Sequence, residues 1–116
     1  MSSADIENLV DSYCRAWFDP DPDERRRLMA RSFETDGVYV DPAVHLFGIA
    51  ALLTHIEKVI AARPGFWLRR TSVIDGHHDL IRFGWVRMAG DEVDGEESID
   101  VCRISPDGRF SLVAGF

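Results

Sequence analysis

Two carboxylates and a phenol stand where this chain of 116 residues could do chemistry. Asp41 ends the apolar run Val38-Tyr39-Val40 and precedes Pro42, which cannot donate to a β ladder. It therefore lies where a strand opens into a loop, a place where a reactive group is both held and reachable. The competing role for an Asp before proline is a turn former that binds a local backbone amide. Asp100 sits between Ile99 and Val101 in the middle of a strand-like segment, where an acid is costly unless exposed, paired or functional. Alternation puts Asp100 in phase with Cys102 and Ile104, and apolar surroundings of that kind raise a carboxyl pKa. Glu96 and Ser98 fall on the same face, so a second carboxylate would share its titration. Tyr13 lies on an apolar helical stripe, where the ordinary role is a core residue with its hydroxyl satisfied. No phosphate-cradling glycine loop, nucleophile elbow or zinc motif accompanies these residues, which leaves side chains alone to carry any chemistry.

The elements that must position them are readable from periodicity. Ile6, Leu9, Val10, Tyr13, Cys14 and Trp17 recur at helical spacing, predicting a helix over about residues 4–17 capped by Ser3 or Asp5. Asp21 as N-cap and Pro22 at the first helical position start a short second helix running to about Arg31. Asp36-Gly37 reads as a turn into the strand that ends at Asp41. Ile49, Leu52, Leu53, Ile56, Val59 and Ile60 give a third helix, stopped by Arg63-Pro64-Gly65, with His55 at its flank. From Phe66 onward the period changes to alternation over 66–74, 78–88, 96–105 and 110–114, separated by Asp75-Gly76, Ala89-Gly90-Asp91 and Pro106-Asp107-Gly108. Turns this short join antiparallel neighbours, so helices followed by a meander imply an α+β fold with helices on one face of the sheet. Gly84 and Gly95 are candidate bends for a sheet that must curve to enclose a pocket.

Composition excludes several classes. Apolar residues make up 46% and charged residues 28%, as in an ordinary globular domain spanning 1–116. A net charge of -7 argues against nucleic acid or an anionic membrane as partner. Arg25-Arg26-Arg27 reads as a solvated helix face. The apolar runs fall far short of the ~18 residues of a membrane span, and the N-terminus lacks a signal region, so a cytoplasmic location is the default expectation. Cys14 and Cys102 have no metal-ligand spacing and are expected as reduced, largely buried thiols. Adjacent His77 and His78 should point to opposite faces of a strand and fail to converge.

The order of these features resembles the nuclear transport factor 2-like superfamily over essentially the whole chain, and within it the SnoaL-like and ketosteroid isomerase branch. The resemblance rests on Tyr13 in the first helix, Asp41 in Val40-Asp41-Pro42, and Asp100 in Ile99-Asp100-Val101-Cys102-Arg103. It implies a cystatin-like cone, three N-terminal helices on a strongly curved, mainly antiparallel sheet, usually dimeric, with a pocket between helices and sheet. It also implies cofactor-free proton transfer on an apolar carbonyl compound, as in an isomerase or cyclase. Asp41 would be the general base, and Tyr13 with a protonated Asp100 would donate to the enolate oxygen; ketosteroid isomerase is the general example of an acid kept neutral this way. Trp17, His45, Phe83, Trp85 and Cys102 are the expected pocket lining, with His45 placed to pair with Asp41. The end of the chain at Phe116 suggests that one end of the pocket is short or completed by a partner subunit. A non-catalytic domain for a small apolar ligand would need an open pocket of roughly 300–1,000 Å³, and an interaction domain only a large apolar surface. The resemblance does not separate isomerases from epoxide hydrolases of this fold by their loops, although a second Arg-Asp constellation is lacking.

Overall fold

The computed structural model describes residues 1–116. Helix α1 (Ser3–Ala16) starts one residue earlier than expected and is capped by Ser2 in place of Ser3 or Asp5, because Ser2 and Asp5 close a capping box in which the Ser2 hydroxyl accepts from the Asp5 amide. Helix α2 (Pro22–Ser32) is capped by Asp21, whose side chain accepts from the Asp23 amide at 2.9 Å. Arg26 and Arg27 lie on its solvated face, paired with Asp23 and Glu24. Arg25 does not. Helical spacing puts it beside Leu28, Met29 and Ser32 on the buried face, and its guanidinium donates to the Asp19 carbonyl at 2.7 Å. Helix α3 covers Ile49–Ala62, with Leu52 and Ile56 fully buried.

The strands are β1 (Phe33–Val40), β2 (His45–Phe47), β3 (Trp67–Arg70), β4 (Asp75–His77), β5 (Leu80–Ala89), β6 (Glu92–Val93), β7 (Ser98–Ile104) and β8 (Phe110–Gly115). They form one mixed, mostly antiparallel sheet ordered β2-β1-β8-β7-β5-β3, with β4 and β6 also on β5. The exception to antiparallel pairing is β1 beside β8, a long-range parallel contact that no local turn could announce. Asp36-Gly37 is not a turn. It lies inside β1 at an irregularity between Phe33 and Val38, where a Cβ on Gly37 would sit 2.6 Å from the Phe33 ring. The hairpin expected at Asp75-Gly76 turns instead at His78-Asp79, His78 taking φ +56°. That left-handed residue brings the two imidazoles together, with His77 Nδ1 and His78 Nδ1 3.1 Å apart on the surface. Gly84 keeps regular register with Ile99, and Gly95 takes φ +108° just before β7.

One buried cluster joins all three helices to the inner sheet face through Val10, Tyr13, Leu28, Met29, Leu52, Ile56, Phe83, Cys102, Phe110 and Val113. Pleating sends Phe83, Trp85 and Arg87 of β5, Asp100 and Cys102 of β7, and Tyr39 of β1 inward, while Val38, Ile99 and Val101 face out. No helix is long and apolar enough to cross a membrane.

Candidate functional site

Asp41, Asp100 and Tyr13 reach one cavity from three directions. The cavity, about 150 Å³, is lined by Tyr13, Cys14 and Trp17 of α1, Tyr39 and Asp41 at the end of β1, and His55 and Val59 of α3. Phe66, Leu68, Trp85, Arg87 and Asp100 complete it from the sheet side.

Asp41 forms the turn expected of an Asp before proline and also lines the cavity. Its Oδ1 accepts from the amides of Ala43 and Val44 at 2.8 and 3.0 Å, the turn that follows from an Asp before proline. Its Oδ2 accepts from the Tyr39 hydroxyl at 2.6 Å. Two strand residues apart, Tyr39 and Asp41 share a face, which is why the phenol can reach the carboxylate. Burial first, and the bond to Asp41 second, push the Tyr39 pKa far up, so this hydroxyl stays a donor.

Asp100 is 5% exposed, and its pKa is raised to about 6. Desolvation is the main cause; the nearby Trp85 indole works against it, and the negative charge of Asp41 adds to it. The neighbouring acid is thus Asp41 rather than Glu96, which is exposed and precedes β7. Space for the carboxyl comes from Gly115, directly across the ladder. A Cβ there would lie 3.2 Å from Asp100 Oδ1, 3.4 Å from Asp41 Cβ and 3.9 Å from the Tyr39 hydroxyl oxygen. That single point therefore marks where the groups converge.

Tyr13 is fully buried in α1, and its hydroxyl has no hydrogen-bond partner. The ordinary reading of a core tyrosine required a satisfied hydroxyl, and this one is not satisfied. Burial, then the charge of Asp100, drives its pKa well up, leaving a protonated donor beside a carboxyl. The ring is fixed edge-on against Phe110, centroids 5.4 Å apart. Trp85 Nε1 is likewise buried with no partner in hydrogen-bond geometry.

Of the expected lining residues, Trp17 and Trp85 border the cavity and three others do not. His45 pairs opposite Val40 in β2, so pleating turns it outward, exposed and 4.5 Å from the Phe47 ring. It makes no bond to Asp41, whose partners are Tyr39 and two amides. Phe83 and Cys102 point inward but are consumed by the core beneath the cavity. The sequence reading passed over Tyr39 and put His55 at the helix flank. His55 instead forms wall, its ring centred 6.0 Å from Trp17 and 6.4 Å from Tyr39. Helical spacing of His55 with Leu52 and Val59 carried that signal. Arg87, also on the lining, donates to Asp94, which Arg63 also binds.

Compared by sequence, the chain matches no family model and no curated protein. Compared by structure, it is similar to a candidate isomerase of the SnoaL-like family from Agrobacterium tumefaciens, 27% identical, with a TM-score of 0.89 and 97% of each chain covered. It is also similar to a candidate polyketide cyclase from Sinorhizobium meliloti, 16% identical, with a TM-score of 0.75 over 100% of both chains. A third likeness is to a protein with a ketosteroid isomerase-like fold from Catenulispora acidiphila, in complex with trimethylamine, 16% identical, with a TM-score of 0.75, covering 93% of this chain and 83% of that one. These likenesses give the chain the fold of the nuclear transport factor 2-like superfamily, and the likeness to the SnoaL-like protein from Agrobacterium tumefaciens supports that branch.

Proposed function

We propose that this protein is a cytoplasmic, cofactor-free enzyme that moves a proton on an apolar carbonyl compound, an isomerase or cyclase. Asp41 takes the proton next to the carbonyl and returns it, while Tyr13 and, below about pH 6 where it keeps its proton, Asp100 donate to the developing enolate oxygen. The observation that carries this reading is the Tyr13 hydroxyl, a buried donor without a partner in the cavity that also holds a carboxyl raised to about 6. An unsatisfied buried donor costs about 1–3 kcal/mol. A ligand oxygen there would recover that cost, most of all when charge develops on it. The likeness to the candidate isomerase from Agrobacterium tumefaciens supports the same class.

A second reading is a non-catalytic domain holding a small apolar ligand by the same donors. It is favoured by the three hydrogen bonds Asp41 already accepts, which occupy both of its carboxylate oxygens. Exchange of the α-protons of 2-cyclohexenone in D2O separates the two. The enzyme reading expects exchange well above buffer and saturable in ketone; binding without accelerated exchange leaves the second reading.

The protein acts as a homodimer through the outer sheet face in this proposal. Register aligns Phe47, Val38 and Leu112 in one outward row, and exposed Ile99 and Phe116 extend it beside Val101. Sedimentation equilibrium should give twice the chain mass of 13.1 kDa, shifting toward one chain in Ile99→Lys. A monomeric wild type would remove the dimer from the proposal.

A further inference from the structure

We infer that the substrate is a small, uncharged carbonyl compound of one ring or a short chain, and that fused polycycles are excluded. This rests on the proton-transfer reading of the same site. The cavity of about 150 Å³ matches the size that holds a single benzene ring and lies well below the roughly 300–1,000 Å³ of pockets for larger ligands. By that comparison, the occupant has about six to eight non-hydrogen atoms.

The missing volume is occupied by rings packed on one another. Trp17 lies 5.3 Å from Tyr39, 6.0 Å from His55 and 6.5 Å from Tyr13, centroid to centroid. Behind them, Phe110 backs Tyr13 and Phe18 backs Phe66. Interiors packed this way resist expansion, because a larger guest must push rings off their rotamers and into filled space. Trp17 is therefore the specificity-determining residue: it touches the wall on three sides, and its indole fills the volume a second fused ring would need.

Charge narrows the class further. Both acids of the lining, Asp41 and Asp100, disfavour an anionic substrate. The one guanidinium on the lining, Arg87, is held by Asp94 at 3.1 Å, so it offers little compensation. Beyond Asp41, Asp100, Arg87, His55 and the Tyr13 and Trp85 donors, the walls offer the guest aromatic and aliphatic surface.

The test is a titration series with phenol, 2-naphthol and a four-ring steroidal phenol as enolate mimics, followed by ligand NMR on wild type and Trp17→Ala. Phenol should bind, 2-naphthol should bind roughly tenfold or more weakly, and the four-ring phenol should not bind. Trp17→Ala should reverse the order of the first two. A four-ring phenol that binds wild type as tightly as phenol does overturns the size inference while leaving the oxyanion site intact. If phenol itself fails to bind, the proton-transfer reading falls, and this inference falls with it. The wild-type series decides the question even if Trp17→Ala does not fold.

Discussion

Asp100→Asn stabilises the folded protein at pH 8 by about 3 kcal/mol relative to wild type, at ~1.4 kcal/mol per pH unit, and changes little at pH 3. The sign follows from the direction of the shift. The folded carboxyl titrates near 6 against an ordinary value of 3.8, so between those values the native state binds more protons than the unfolded chain. Wild-type stability therefore falls as pH rises through this window, and the full cost is present above about pH 6. Asparagine has the shape of the neutral acid and no charge to bury. The difference in urea midpoint between the two proteins, followed from pH 3 to pH 8, isolates this one group. A difference that stays flat across pH 4 to 6 would show that Asp100 ionises normally.

Asp41→Asn lowers ketone α-proton exchange by roughly 10²–10⁴-fold, the usual worth of a positioned general base. The fold should survive, since asparagine can still accept from the amides of Ala43 and Val44 and keep the turn. The amide nitrogen that replaces Oδ2 has no lone pair to receive the substrate proton or to accept from Tyr39. Tyr39 matters here as a positioning residue. Its hydroxyl fixes Oδ2 of Asp41, so Tyr39→Phe should lower kcat for exchange more than it changes KM, without abolishing exchange. If Asp41→Asn exchanges ketone protons at the wild-type rate, the base lies elsewhere.

The helices could be read within a residue or two because caps and apolar spacing are local signals, as Asp21-Pro22 and the α3 stripe illustrate. Asp100 was legible because an acid between two β-branched residues violates the strand pattern, and such violations gather at functional sites. What escaped was set by distant pairing. The parallel contact of β1 with β8 brings Gly115, Asp100 and Asp41 together, and no local pattern encodes it. His45 looked like a partner for Asp41 until β2 paired with β1, and that register turned it outward. Arg25 looked solvated because it sits in a run of three arginines, yet the spacing of α2 buries it. Tyr39 needed the strand period applied to its own neighbour two positions on, which sequence does supply.

The site's central claim is that Tyr13 and a neutral Asp100 grip an enolate oxygen while Asp41 stands by as base. The proton NMR spectrum of bound phenol, recorded at about pH 5 where Asp100 keeps its proton, tests it most directly in wild type, Tyr13→Phe, Asp100→Asn and Asp41→Asn. Strong charge-assisted hydrogen bonds to the phenol oxygen should give a far-downfield resonance in wild type. It should be retained in Asp41→Asn, altered in Asp100→Asn and weakened or lost in Tyr13→Phe. Phenol that binds wild type with no such resonance, or a resonance indifferent to Tyr13 and Asp100, would contradict the account.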